Sequence, residues 1–216
     1  MMKLSLLLAG LVSATALQAS PVYDNTTTDT FDTVVYSTAP YTEIGDRIQL
    51  AGTERSAGTA AAQVYNLGSG GNFDATLYLY GLASNSVDVG SLLGSYTAAG
   101  LALANGALLE VSWSLAGLTL PDELFFTVSV DNFSSGMDLG LTVFNPPTVG
   151  SSSDQFLVVK GASGFAQASQ GNGHDNIYFR LDATSANAVP EPGSAGLVFL
   201  AMLPLLAIRG RRAVPG

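Results

Sequence analysis

The chain contains no cysteine, one histidine and one tryptophan among 216 residues, and only 12% of its side chains carry charge. Without cysteine there is no disulfide framework, no thiolate metal ligand and no thiol nucleophile. With His174 alone, no multi-histidine metal centre can be assembled. These absences exclude most metalloenzyme and redox chemistry. Basic residues are scarce as well: eight Lys and Arg stand against seventeen Asp and Glu, for a net charge of −9. Four of those eight bases, Lys3, Arg209, Arg211 and Arg212, sit at the chain ends. Between residues 20 and 188, sixteen carboxylates meet only Arg47, Arg55, Lys160 and Arg180. A body this acidic repels a phosphate backbone and offers no basic stripe to release its counterions, which argues against nucleic acid as a partner.

What is abundant is apolar or small, with 47% hydrophobic residues and 24 glycines. At about half the usual charged fraction, the polar surface must come from Ser, Thr, Asn and Gly, a composition that suits a secreted β-rich protein.

The two ends differ from the body. Residues 1–19 carry one positive charge at Lys3, an apolar run over 4–12, and small residues at Ala14, Ala16 and Ala19. This order predicts a secretory signal peptide cut after Ala19, with Ala16 as the alternative; it leaves no polar face for a packed amphipathic helix. Residues 189–216 begin with Pro190, Glu191 and Pro192, continue with an apolar run over 195–208, and end in a basic cluster at Arg209, Arg211 and Arg212. The two prolines fix their own φ and push their predecessors toward extended backbone, so the motif is expected to stand out as an accessible peptide. As a helix, the apolar run reaches about 21 Å. That is short of a hydrocarbon core of roughly 30 Å, and Pro204 weakens it further. It makes a poor permanent anchor, and the arginines behind it favour the cytoplasmic side, leaving the body outside.

Motif, transmembrane stretch and terminal arginines, in this order over the last 28 residues, resemble the PEP-CTERM sorting signal of Gram-negative bacteria. The extra residues 213–216 beyond the arginines are a departure from that pattern, and no LPXTG-like motif is present to indicate a Gram-positive sortase. The resemblance implies export by the Sec machinery, transient retention in the inner membrane, cleavage near the motif by an exosortase, and release to the envelope or extracellular matrix.

The body, residues 20–188, is one domain of ordinary size. Apolar and polar residues alternate over 76–80, 109–115, 126–130, 139–144 and 177–181, and more weakly over 31–36, 47–51, 61–65 and 156–159. Alternation of period two predicts half-buried antiparallel strands, here roughly nine. Turn clusters rich in Gly, Asn and Pro separate them at intervals typical of a β-sandwich or jelly roll. Only 98–109 has a helical composition, and Gly100 and Gly106 argue against a helix. The expected fold is all-β: a single antiparallel sandwich. The segments 44–53, 73–76, 120–122 and 144–150 also resemble domains that commonly precede this sorting signal, which implies a secreted β-sandwich with no established activity. Asn145 replaces an Asp of that pattern, and the Trp expected soon after Phe156 is missing.

Candidate chemistry is sparse. His174 beside Asp175 is a candidate general base, but no GxSxG elbow or HExxH accompanies it, and a solvated loop histidine explains it better. Glu110 with Asp131 or Asp74 is a conceivable glycosidase pair, decided only by separation in space. Asp24, Asn25, Asp29 and Asp32 offer hard oxygens to Ca²⁺, without an organised calcium loop, and a solvated, flexible N-terminal strand explains them better; no other cofactor is expected. Tyr78 and Tyr80 fall on one strand face, where their rings are candidates for stacking on sugar or for ordinary packing. Trp113 shares a face with Leu109, Val111 and Leu115 and is expected in the core. The sequons at Asn25 and Asn132 fit surface glycosylation. The leading expectation is a non-enzymatic exported envelope or matrix protein associated with exopolysaccharide. A carbohydrate-binding module is the alternative, and a secreted hydrolase a distant third.

Overall fold

Thirteen β-strands and no helix occupy the described residues of this computed structural model, which are 19–36, 41–84, 88–153, 157–169 and 175–184. The leader, the Pro-Glu-Pro tail with its arginines, His174 and Phe156 lie outside them. In chain order the strands are β1 (Ala19–Asn25), β2 (Asp29–Val35), β3 (Glu43–Gln49), β4 (Ser56–Asn66), β5 (Gly71–Leu82), β6 (Val89–Leu103), β7 (Leu108–Ser114), β8 (Glu123–Asp131), β9 (Leu139–Phe144), β10 (Ser151–Ser152), β11 (Leu157–Gly161), β12 (Gly164–Ala168) and β13 (Phe179–Thr184).

All pairings between them are antiparallel, and they form two sheets. In the six-stranded sheet the long strand β4 is the spine. Strand β7 runs along one of its edges, while β13 and β9 share the other, against Ser56–Ala62 and Val64–Asn66 respectively. Strand β1 closes this sheet beside β13, and β2 closes it beside β9. In the seven-stranded sheet the order is β12, β11, β3, β8, β5, β6, with β10 sharing with β11 the outer edge of β3.

The alternation read from the sequence decides which side chains turn inward. On β7, Val111 and Trp113 are buried while Glu110, Ser112 and Ser114 face water. On β8, Leu124, Phe126, Val128 and Val130 point inward, as do Phe73, Ala75, Leu77 and Leu79 on β5 and Phe179, Leu181 and Ala183 on β13. These inner residues of both sheets join one core. The Phe126 ring stacks on Phe179 with centroids 3.7 Å apart, and Trp113 Nε1 donates to the Ala75 carbonyl at 3.4 Å. Burying each such large apolar side chain contributes about 1.5–3 kcal/mol, and the rings bridge one sheet to the other. Glycine is obligatory at Gly45, where a Cβ would lie 1.8 Å from the Phe126 carbonyl oxygen of the neighbouring strand.

Four strands escape the period-two reading of the sequence. Residues 98–109, helical in composition, form the end of β6, a turn and the start of β7. The opening segment, expected as a solvated, flexible strand, holds the end of β1 and the start of β2, and its Asn25 is fully buried rather than solvated. The sequon at Asn25 is accordingly corrected: Asn25 Nδ2 donates to the Phe144 and Ile177 carbonyls at 2.8 and 3.0 Å, and a buried, doubly bonded amide cannot carry a surface glycan. Strand β1 starts at Ala19, which pairs with Thr184, so a cut after Ala19 removes that first pair and a cut after Ala16 keeps it.

Candidate functional site

The outer face of the seven-stranded sheet carries a second, smaller apolar cluster. Tyr78 and Tyr80 project from β5, Phe125 from β8 and Val158 from β11, all by the same period-two rule that sends their neighbours into the core. The β11–β12 hairpin, tightened by Gly164 at φ +104°, places Phe165 over them. The Phe165 ring meets Tyr80 edge-on with centroids 5.1 Å apart, and Tyr78 and Tyr80 stack at 6.3 Å. Tyr80 is thereby reduced to 6% exposure while Tyr78 stays half-exposed. The pair shares a face as the sequence requires, but it does not present an open platform, because the hairpin covers Tyr80.

Beneath the rings lies Glu43 of β3, 4% exposed. Its Oε2 accepts from the Tyr80 hydroxyl at 2.9 Å and from Thr127 Oγ1 at 2.6 Å, and its Oε1 pairs with Lys160 Nζ at 2.5 Å. The Lys160 ammonium also sits 5.2 Å from the Phe165 ring centroid and 6.0 Å from that of Tyr78, within cation–π range. Burial, with the bond to Glu43, pushes the Tyr80 phenol well above its ordinary value. A groove of about 640 Å³ opens beside this cluster, lined by Phe125, Val158 and Phe165 with Asp88 and Gln167 among its polar groups. Aromatic walls, half-apolar stems and a few polar groups are what a concave small-molecule or sugar site is built from.

The other sequence candidates do not come together. Glu110 faces outward from β7 in the six-stranded sheet and accepts from the Tyr178 hydroxyl. Asp74 and Asp131 face outward from the seven-stranded sheet, opposite each other on β5 and β8. The core therefore separates Glu110 from both, and neither pairing is a glycosidase dyad. Asp74 accepts from Asn132 Nδ2 at 2.8 Å and from the Gly100 amide at 2.7 Å, bonds that hold its carboxyl below the usual carboxylate value. Asp24 and Asp29 fold back on their own segment, accepting from Thr26 and from the Phe31 amide. Among the described residues no three of Asp, Glu, His and Cys gather to hold a metal ion, and Asp24, Asp29 and Asp32 do not converge.

Two features have no counterpart in the sequence reading. A partly buried polar chain runs from the Tyr23 hydroxyl to Ser152 Oγ at 3.0 Å, on to Asn176 Oδ1 at 2.8 Å, and from Asn176 Nδ2 to Asn145 Oδ1 at 2.8 Å. It ties β1 and β10 to the loop after β9, so Asn145, the position that departs from the resembled pattern, has a structural partner here. Phe31 is 92% exposed and sits at φ +63° in the bulge of β2, a conformation strained for a residue with a Cβ. An isolated exposed phenylalanine leaves no periodic signal, so only the bulge reveals it.

No protein-family model, curated protein or solved structure matches the chain.

Proposed function

We propose that this chain is a non-enzymatic exported protein of the envelope or extracellular matrix, delivered to the surface by a PEP-CTERM-type tail that an exosortase cuts. The observation that carries this reading is the order of the tail: Pro190, Glu191 and Pro192, the apolar run 195–208, then Arg209, Arg211 and Arg212. In support, the last strand among the described residues ends at Thr184, six positions before Pro190. The finer fold proposal is a β-sandwich of jelly-roll type, supported by the ring contacts and the hydrogen bond that join the inner faces of the two sheets.

The test is chemical access to the motif. In a cell with an exosortase, Pro190→Ala with Glu191→Ala removes one fixed φ and the motif's only side-chain charge, while the apolar run and the arginines still insert. Fractionation and mass measurement are expected to find an uncleaved, membrane-bound precursor. Cutting and release as efficient as for the native chain would overturn the assignment.

A second reading, a carbohydrate-binding module, is favoured by the groove beside Phe125, Phe165 and Tyr78. Here the half-exposed Tyr78 and Phe165, with Lys160 between them, take the place of an open tyrosine pair. Glycan-array binding of the purified chain, with and without Ca²⁺, tests it: binding that Phe165→Ala abolishes supports the groove, and binding to no glycan sinks it.

A further inference from the structure

The exposed strand edges of the two sheets are not alike. A free edge offers unpaired N–H and C=O groups to any passing strand, and native proteins blunt it with charge, proline, bulges or shortness. In the six-stranded sheet β1 carries Pro21 and Asp24, β2 carries Asp29 and Asp32 around a bulge, and β7 carries Glu110. In the seven-stranded sheet β12 is only five residues long. Strand β6 is different. It is fifteen residues long, has no charged residue and no proline, and among the described residues pairs with β5 alone. Shifts of register interrupt it on either side, but from Gly94 to Ala98 it runs uninterrupted against Leu79 to Ala75.

That central stretch, Gly94-Ser95-Tyr96-Thr97-Ala98, is complementary to itself. Ser95 and Thr97 are exposed on the outer face, Tyr96 packs toward the core, and Thr97 Oγ1 lies 2.9 Å from Thr76 Oγ1. An antiparallel copy related by a two-fold axis at Tyr96 sets Ser95 opposite Thr97 of the other chain and Gly94 opposite Ala98. The hydroxyl row that starts at Thr76 then continues across the junction, a favourable cross-strand pairing. Charge selects the same place. The body carries sixteen carboxylates against four bases, so two copies repel each other over most approaches, whereas β6 brings no charge to the contact. We infer that β6 is a self-association edge, through which two copies of this chain pair antiparallel about Tyr96 into one continuous sheet.

The absence of cysteine gives a background-free test. Directly opposed residues of an antiparallel pair have Cα atoms about 4.5–5.5 Å apart, inside disulfide reach. The full chain is held in mild detergent, and Ser95→Cys chains are mixed with Thr97→Cys chains under mild oxidation. A cross-linked dimer of about twice the chain mass is expected from the mixture, with at least a tenfold lower yield from a Ser114→Cys control on the β7 edge. Ser95→Lys is expected to reduce the unmodified chain from dimer to monomer in light scattering, with its circular dichroism unchanged. A monomeric native chain overturns the inference. So does an association that persists in Ser95→Lys, or that leaves positions 95 and 97 uncross-linked, because either places the contact on the apolar ends or on another edge.

Discussion

Trp113 reaches from one sheet to the other: it projects from the first, is 4% exposed, and donates its indole N–H to the backbone of the second. Trp113→Ala removes that bridge together with a ring-sized volume of packing. A loss of about 3–5 kcal/mol is expected in urea unfolding, and a change below about 1 kcal/mol would show that the ring is not part of the core. Two phenols report on a different balance. Tyr80 and Tyr178 are both held above the ordinary tyrosine value of 10.0, in each case first by burial and then by a carboxylate, Glu43 or Glu110. Each holds its proton more tightly folded than unfolded. The stability this supplies is therefore complete below the ordinary value and is lost as pH rises above it toward the folded values. The urea midpoint should fall as pH rises above about 10, and the Tyr80→Phe, Tyr178→Phe double variant should show a shallower decline. An unchanged slope in the double variant would move the alkaline sensitivity elsewhere.

At the scale of elements, Glu43 ties four strands together, since β3 supplies the carboxylate, β5 and β8 supply hydroxyl donors and β11 supplies the ammonium. Glu43→Ala leaves the hydroxyls of Tyr80 and Thr127 buried without their acceptor, at about 1–3 kcal/mol each. A combined loss of about 2–6 kcal/mol is expected in urea unfolding; a loss under 1 kcal/mol would mean that water replaces the carboxylate. The carboxylate also shows where sequence patterning stops being informative. Strands β5, β7, β8 and β9 were legible because one of their faces is strictly apolar. Strand β6 was not, because at the sheet edge nearly all its residues are half-exposed or exposed, and the Ala and Leu content of its end is that of a helix rather than of a strand. The burial of strand β1 was hidden by Asn25, whose side chain looks like surface until its two carbonyl partners are in place. Tyr78 and Tyr80 were legible as neighbours on one face. Their unequal burial was not, since it depends on Phe165, more than eighty residues away, and on how the β11–β12 hairpin folds over the sheet.

For the whole molecule, the first and last described residues, Ala19 and Thr184, lie side by side. Strand β1 begins at Ala19, where the leader is expected to stop, and β13 ends at Thr184, just before the Pro-Glu-Pro segment; the two residues pair directly in the six-stranded sheet. Both chain exits from the body are therefore adjacent at one edge, and removing material beyond either should cost the fold little, while removing the strands themselves should cost it a great deal. β1 supplies Tyr23 and Val22 to the core, sets the Tyr23 ring 6.2 Å from Phe179, and satisfies two carbonyls through Asn25. Deleting residues 195–216 is thus expected to release the protein from the membrane with its β circular dichroism and urea midpoint unchanged. Shortening the mature chain so that it starts at Thr26 removes all of β1, exposes the outer edge of β13, and should abolish the cooperative transition. Loss of the β signal on deleting 195–216 would show that the tail packs into the body. A cooperative transition surviving without β1 would show that β13 and β4 hold that edge of the sheet alone, and that the opening strand serves delivery rather than the core.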